Sequence, residues 1–136
     1  MNRLPGRIAA VEVCGSVALV DVQVGLRSYA ATVLGDGDAV AGWQVGAKVA
    51  LLFKETEVAL AKNLSGAISL RNRLKGVVTA IEYGQVLSKI VFEVDGRSIA
   101  SVITTRSCKA LQLALGDEIE GLVKANEMTV VADGSA

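Results

Sequence analysis

Short apolar, β-branched runs, each closed by polar or turn-forming residues, follow one another along this chain. Gly76-Val77-Val78-Thr79-Ala80-Ile81-Glu82 is one such run, and Gly84-Gln85 turns the chain after it. Residues 86–94 form a second run, and Asp95-Gly96 is a strong signal for a tight hairpin. Residues 97–103 return as a third strand. Thr104 or Thr105 then caps a short helix predicted to reach Leu113, with Ala110, Leu111 and Leu113 facing inward. Leu115-Gly116-Asp117 ends it, and residues 119–124 and 128–131 are the last two strands. Five short strands with one helix between the third and the fourth predict a small OB-like barrel.

The first half follows the same plan. Its strands are expected at 6–13, 17–24, 27–34, 48–53 and 58–60, with a degraded helix around 37–43. Gly35, Gly37 and Gly42 favour a loop there as much as a helix. The likeness extends to individual residues. At one fixed offset and without a gap, Asn2-Arg3-Leu4 meets Asn72-Arg73-Leu74, Gly6 meets Gly76, and Arg27-Ser28 meets Arg97-Ser98. Gly46 meets Gly116, Leu52 meets Leu122, and Lys54 meets Lys124. Such self-similarity marks a duplicated structural unit. Two domains are expected, 1–62 and 69–136, joined by 63–68 with Ser65 and Gly66 as the flexible part.

Composition narrows the function. A unit of about 60–70 residues buries a limited core and gains from association. Apolar residues make up 51% of the chain but aromatics only 4%, so Val, Ala, Leu and Ile fill the interior. Fourteen acidic residues balance fourteen basic ones, which gives no global field for nucleic acid or anionic membrane. Single-stranded nucleic-acid binding on an OB-like barrel wants stacked aromatics along a basic groove. Tyr29, Phe53, Tyr83 and Phe92 are too scattered for that. With no histidine and only Cys14 and Cys108, no metal-cation ligand set is expected. The two distant cysteines, with no secretory signal, fit a reduced, cytoplasmic protein. No apolar run approaches the roughly 20 residues of a membrane helix.

The polar residues of the second half suggest an anion site. Ser69, Arg71, Thr104, Ser107 and Lys124 offer two cations and three hydroxyl donors. A tetrahedral dianion such as molybdate or sulfate only accepts hydrogen bonds, and wants about two positive charges and many donors. Thr104 and Ser107 fall at a predicted helix start, where free backbone N–H groups favour anions. They serve equally well as plain helix caps. A catalytic role for Cys108 is not expected, since it has no histidine partner.

The run Ser69-Leu70-Arg71-Asn72-Arg73-Leu74-Lys75-Gly76 resembles the opening signature of the molbindin family, the Mop or TOBE domain. Ala100-Ser101-Val102-Ile103-Thr104, Leu115-Gly116-Asp117-Glu118 and Val123-Lys124-Ala125 are similar to its later segments. The resemblance covers the whole second half and, more weakly, the first. It implies an all-β protein of two tandem OB-like five-stranded barrels, each with one short helix, strand-exchanged in an oligomer. It also implies a non-enzymatic protein that binds molybdate or tungstate in the cytoplasm, for storage or homeostasis.

By the resemblance, Ser69, Arg71 and Lys124 hold the oxyanion from one subunit, Thr104 and Ser107 reach it from a neighbour, and backbone N–H groups near Arg71 and Ala125 add donors. It implies a homotrimer, with a dimer as the alternative, and no nucleic acid or membrane partner. The alternative function is a molybdate-sensing module acting with a transporter or a transcription regulator. Leu70 stands where the family has alanine. The first half departs further: Met1 stands for Arg71, Leu34 for Thr104 and Gly37 for Ser107, and only Lys54 is kept.

Overall fold

The computed structural model of the chain describes residues 1–34 and 43–133. The strands of the first repeat are β1 (Asn2–Cys14), β2 (Val17–Val24), β3 (Arg27–Leu34), β4 (Lys48–Phe53) and β5 (Ala59–Ala61). Those of the second are β6 (Asn72–Glu82), β7 (Leu87–Val94), β8 (Arg97–Thr104), β9 (Glu118–Val123) and β10 (Thr129–Ala132). Helix α1 (Thr105–Ala110) follows β8, and 3-10 turns at Glu55–Glu57 and Ala125–Glu127 precede β5 and β10. The helix expected around 37–43 lies outside the described residues, apart from Trp43, which is half-buried.

Among the described residues the strand pairs are antiparallel and build two five-stranded sheets, β10-β4-β1-β2-β3 and β5-β9-β6-β7-β8. The edges of the first sheet, β3 and β10, approach each other, as do β5 and β8 of the second. Each sheet therefore curls toward a barrel, as an OB-like fold requires.

The compact units do not coincide with the repeats. One comprises Met1–Phe53 with Lys124–Ala136, the other Lys54–Val123. Each repeat gives its last strand to the other repeat's sheet, and the exchange seen is within one chain. Both crossings keep the same register. Thr129 pairs with Leu52 and Val131 with Ala50, while Ala59 pairs with Leu122 and Ala61 with Glu120.

Period-two burial explains the cores. Ala18, Val20, Val22 and Val24 on β2 are buried, as are their repeat counterparts Ser88, Ile90, Phe92 and Val94 on β7. Each fully buried aliphatic or aromatic side chain stabilises by about 1.5–3 kcal/mol relative to exposure. β1 and β6 start four residues before the predicted Gly6 and Gly76 because β4 and β9 pair with them there, from Asn2↔Phe53 and Asn72↔Val123. Each long strand then passes to a second neighbour near its glycine. A β-carbon on Gly6 would lie 2.4 Å from the Gln23 carbonyl oxygen, and one on Gly76 2.4 Å from that of Glu93. Only glycine lets the strands approach so closely. The expected hairpin turn has positive φ at both Asp95 (49°) and Gly96 (80°), the geometry of a type I′ turn.

The helix is shorter than predicted. It ends at Ala110, and Gln112 adopts φ of 50°. Its inward residues are Thr105 and Cys108, followed by Leu113 beyond its end; Ala110 is exposed and Leu111 half-buried.

Candidate functional site

Each residue marked by the sequence has a definite place. Asn72 pairs with Val123 at the outer end of the β6–β9 ladder. Arg71 immediately precedes Asn72 and Lys124 immediately follows Val123, so both cations leave the same end of that ladder. Both are exposed, as is Ser69; Ala125 is half-buried and opens the 3-10 turn. Asn72 is fully buried, and its counterpart Asn2 is buried to 6% exposure. The asparagine of the motif is thus an interior residue from which the exposed arginine projects.

Thr104 and Ser107 form a second group. Thr104 Oγ1 accepts a hydrogen bond from the Ser107 N–H at 3.1 Å and donates to Ser107 Oγ at 2.8 Å. Thr104 is therefore the N-cap of α1, which explains where the helix begins. It pairs with Leu87, beyond the end of the β6–β7 ladder at Glu82↔Lys89. Arg71 stands before the start of β6, so the groups are separated by a strand contour of roughly 33 Å. Within the unit Lys54–Val123, Arg71 and the Thr104–Ser107 pair lie at opposite ends of β6, while Lys124 is the first residue of the other unit's second segment.

The interior near α1 is also tied by hydroxyls. Thr105 Oγ1 lies 2.8 Å from Ser88 Oγ and donates to the Gly84 carbonyl at 2.8 Å. Buried Ser101 donates to the Val58 carbonyl at 2.6 Å.

Two ion pairs within the same unit shift titrations. Arg73 Nε and Nη2 donate to the Glu120 carboxylate at 2.5 and 2.9 Å. These hydrogen bonds hold Glu120 below the usual carboxylate range and raise Arg73. Lys62 Nζ donates to Asp117 Oδ2 at 3.0 Å and to the Gln112 carbonyl at 3.0 Å. Asp117 also accepts from the Ala114 N–H at 2.8 Å. The Lys62 bond, with the backbone one second, pulls the Asp117 pKa down. Sequence reading passed over this pair, yet both positions change together between repeats, to Ala132 and Ala47.

Clefts of about 430 and 540 Å³ occur in this unit. The first is bordered by Asn63, Lys75, Glu118 and Glu120, the second by Ile81, Tyr83 and Leu115. Neither contains a residue of the two marked groups. Among the described residues no group of three or more acidic or cysteine side chains is placed to hold a metal ion. Among the described residues no helix is long and apolar enough to cross a membrane.

Fold and sequence pattern together define a class: a tandem of OB-like β-barrels, with Arg71 exposed just ahead of β6. Residues 68–130 match the TOBE domain. The molybdenum-pterin-binding protein 3 of Clostridium pasteurianum is 33% identical over 67 residues, covering 48% of this chain and 98% of the relative. The chain belongs to the TOBE-domain family, the molbindins. A solved structure of the cytoplasmic molybdate-binding protein ModG, with molybdate bound, matches with TM-score 0.90 and 26% identity. That match covers 96% of this chain and 95% of ModG. The molybdenum import ATP-binding protein ModC of Brucella abortus (strain 2308) is 37% identical over 86 residues, 62% of this chain. The match spans only 24% of ModC's own length.

Proposed function

We propose that this chain is a non-enzymatic molybdate-binding protein, also able to take tungstate, that stores or buffers molybdenum in the cytoplasm. The observation that carries the reading is the likeness to molybdate-bound ModG along 96% of the chain. The chemistry agrees. A tetrahedral dianion needs cations and donors, and Arg71 and Lys124 leave one end of one ladder. Ser69 and backbone N–H groups near Arg71 and Ala125 add donors. Thr104 and Ser107 stand at the far end of β6, so this reading assigns them to a neighbouring copy. A homotrimer is the favoured assembly and a dimer the alternative. An ion held between copies binds only the assembled state and stabilises it by mass action.

The first repeat is a poor host. Met1 brings no guanidinium where Arg71 stands. Glu57 already accepts a hydrogen bond from the Lys54 N–H at 2.8 Å, and Glu55 replaces Ala125. The Glu55 carboxylate repels an incoming dianion; Glu57 does not set the repeats apart, because Glu127 holds its place in the second.

Calorimetry with molybdate, tungstate and sulfate, on the intact chain and on Arg71→Ala, tests the proposal. Molybdate and tungstate should bind, and Arg71→Ala should weaken both by at least tenfold. A chain that takes up no molybdate would refute it. The ModC match favours a second reading, in which the chain senses molybdate for a transporter partner. Capture of such a partner only when molybdate is present would support that role.

A further inference from the structure

The exchange of last strands poses a choice that register does not make. β5 and β10 are repeat equivalents, and each pairs with its host strand at equivalent positions. By backbone alone, β5 would fit against β4 as well as against β9. We propose that side chains on the two exchanged segments form a matching code that directs each segment to the other repeat's barrel and rejects its own.

The segment 55–62 carries three features that match its host. Glu55 stands 3.9 Å from Lys89, and Lys62 bonds Asp117 at 3.0 Å. Val58, 2% exposed, fits beside Gly121, where a β-carbon would lie 3.1 Å from Val58 Cγ1 and 2.7 Å from Phe92 Cζ. At home in the first repeat, the counterparts of Lys89 and Asp117 are Leu19 and Ala47, which carry no charge. The counterparts of Gly121 and Phe92 are Leu51 and Val22, which reverse the small and large positions.

The segment 125–133 matches the first sheet in the same manner. Asp133 Oδ1 accepts from Arg3 Nη2 at 2.8 Å, and Met128 is 1% exposed in the place that Val58 holds in the other unit. Moved to its own repeat, Asp133 would approach Glu120, a second carboxylate on an arginine already engaged by two bonds. Met128 would bring a longer side chain against the Phe92–Gly121 contact, and Ala132 would leave Asp117 without Lys62. Like charges and misfitted volumes disfavour the closed pairing, while opposite charges favour the exchanged one. Lys62 and Asp117 are about one-quarter exposed, so their attraction is less screened than that of a fully exposed pair.

The test transposes the code. In one chain, residues 55–63 and 125–133 trade sequences; the original chain is the control. Native thiols are removed by Cys14→Ser and Cys108→Ala. Cysteine at position 61 is combined with Glu120→Cys or with Ala50→Cys, and oxidised disulfides are mapped by mass spectrometry. Directly opposed strand positions lie within disulfide reach. The original chain should link 61 to 120, and the transposed chain should link 61 to 50. A transposed chain that still links 61 to 120 would overturn the proposal, because chain connectivity would then be choosing the exchange.

If transposition prevents folding, a cycle on the full chain decides instead. Lys62→Ala, Asp117→Ala and the double variant are melted. A double loss no greater than the larger single loss supports coupling, and strictly additive losses overturn it.

Discussion

Arg73 and Glu120 face each other across neighbouring strands, joined by two hydrogen bonds of 2.5 and 2.9 Å. The same two positions in the first repeat are Arg3 and Ala50, and there the arginine reaches Asp133 at the end of the exchanged strand. One arginine is thus neutralised in two ways. The Arg73 side chain is 31% exposed and that of Arg3 is 49% exposed. Glu120→Gln should therefore lower the melting temperature by on the order of a few degrees, and Asp133→Asn by less. Differential scanning calorimetry of both variants checks the order.

Acid should weaken the fold through two identified carboxylates. Asp117 and Glu120 sit below their ordinary values of 3.8 and 4.5 because Lys62 and Arg73 hold their charged forms. A folded-state pKa below the unfolded one gives stability that is fully present above the unfolded value. That stability is lost as pH falls through the folded value. Urea midpoints should be level above about pH 5.5 and fall from about pH 4.5 downward. Asp117→Asn and Glu120→Gln should each make the decline shallower.

Gly121 leaves room for the Phe92 ring. Gly121→Leu should destabilise by about 1–3 kcal/mol through overpacking. Adding Phe92→Val imports the first repeat's combination of Leu51 and Val22 and should recover part of the loss. Chemical denaturation of the two variants measures the recovery.

A methyl group on Gly6 or Gly76 would fall 2.4 Å from a backbone carbonyl oxygen, with valine methyls next at 2.9 Å, so only backbone movement accommodates it. Gly6→Ala and Gly76→Ala should each cost roughly 3 kcal/mol or more. Similar losses in urea melts would follow from the shared geometry of the two units.

Binding should separate the two lysines of the repeat. Lys124→Ala should weaken molybdate at least tenfold, as removal of one charge-assisted contact does. Lys54→Ala should leave affinity within about twofold, because the repeat positions of Arg71 and Ala125 are Met1 and Glu55 there. Isothermal titration compares them.

Strand positions were legible because β-branched runs and turn residues each speak for a local conformation. Asp95-Gly96 fixed its hairpin, and Thr104 fixed the start of α1. The helix's inward face was misread because the chain leaves the helix at Ala110. Its inward positions therefore fall at Thr105 and Cys108 rather than at Ala110. Strand exchange was expected from the family resemblance, but between subunits; that it runs between the two repeats of one chain was not legible, since closed and exchanged strands use the same register. Arg71 and Lys124 were legible as a motif, but their common ladder end follows from the Asn72↔Val123 pairing. The distance of Thr104 from that end also depends on pairing, which composition and spacing do not specify.

Because β5 and β10 each complete the opposite barrel, neither half of this protein is a miniature of the whole. A gene cut back to one copy would encode four strands at home and a fifth with nowhere to go. On the matching code proposed above, such a product finishes its sheet by recruiting another molecule. With both copies on one chain, that search between molecules becomes a search along a single thread.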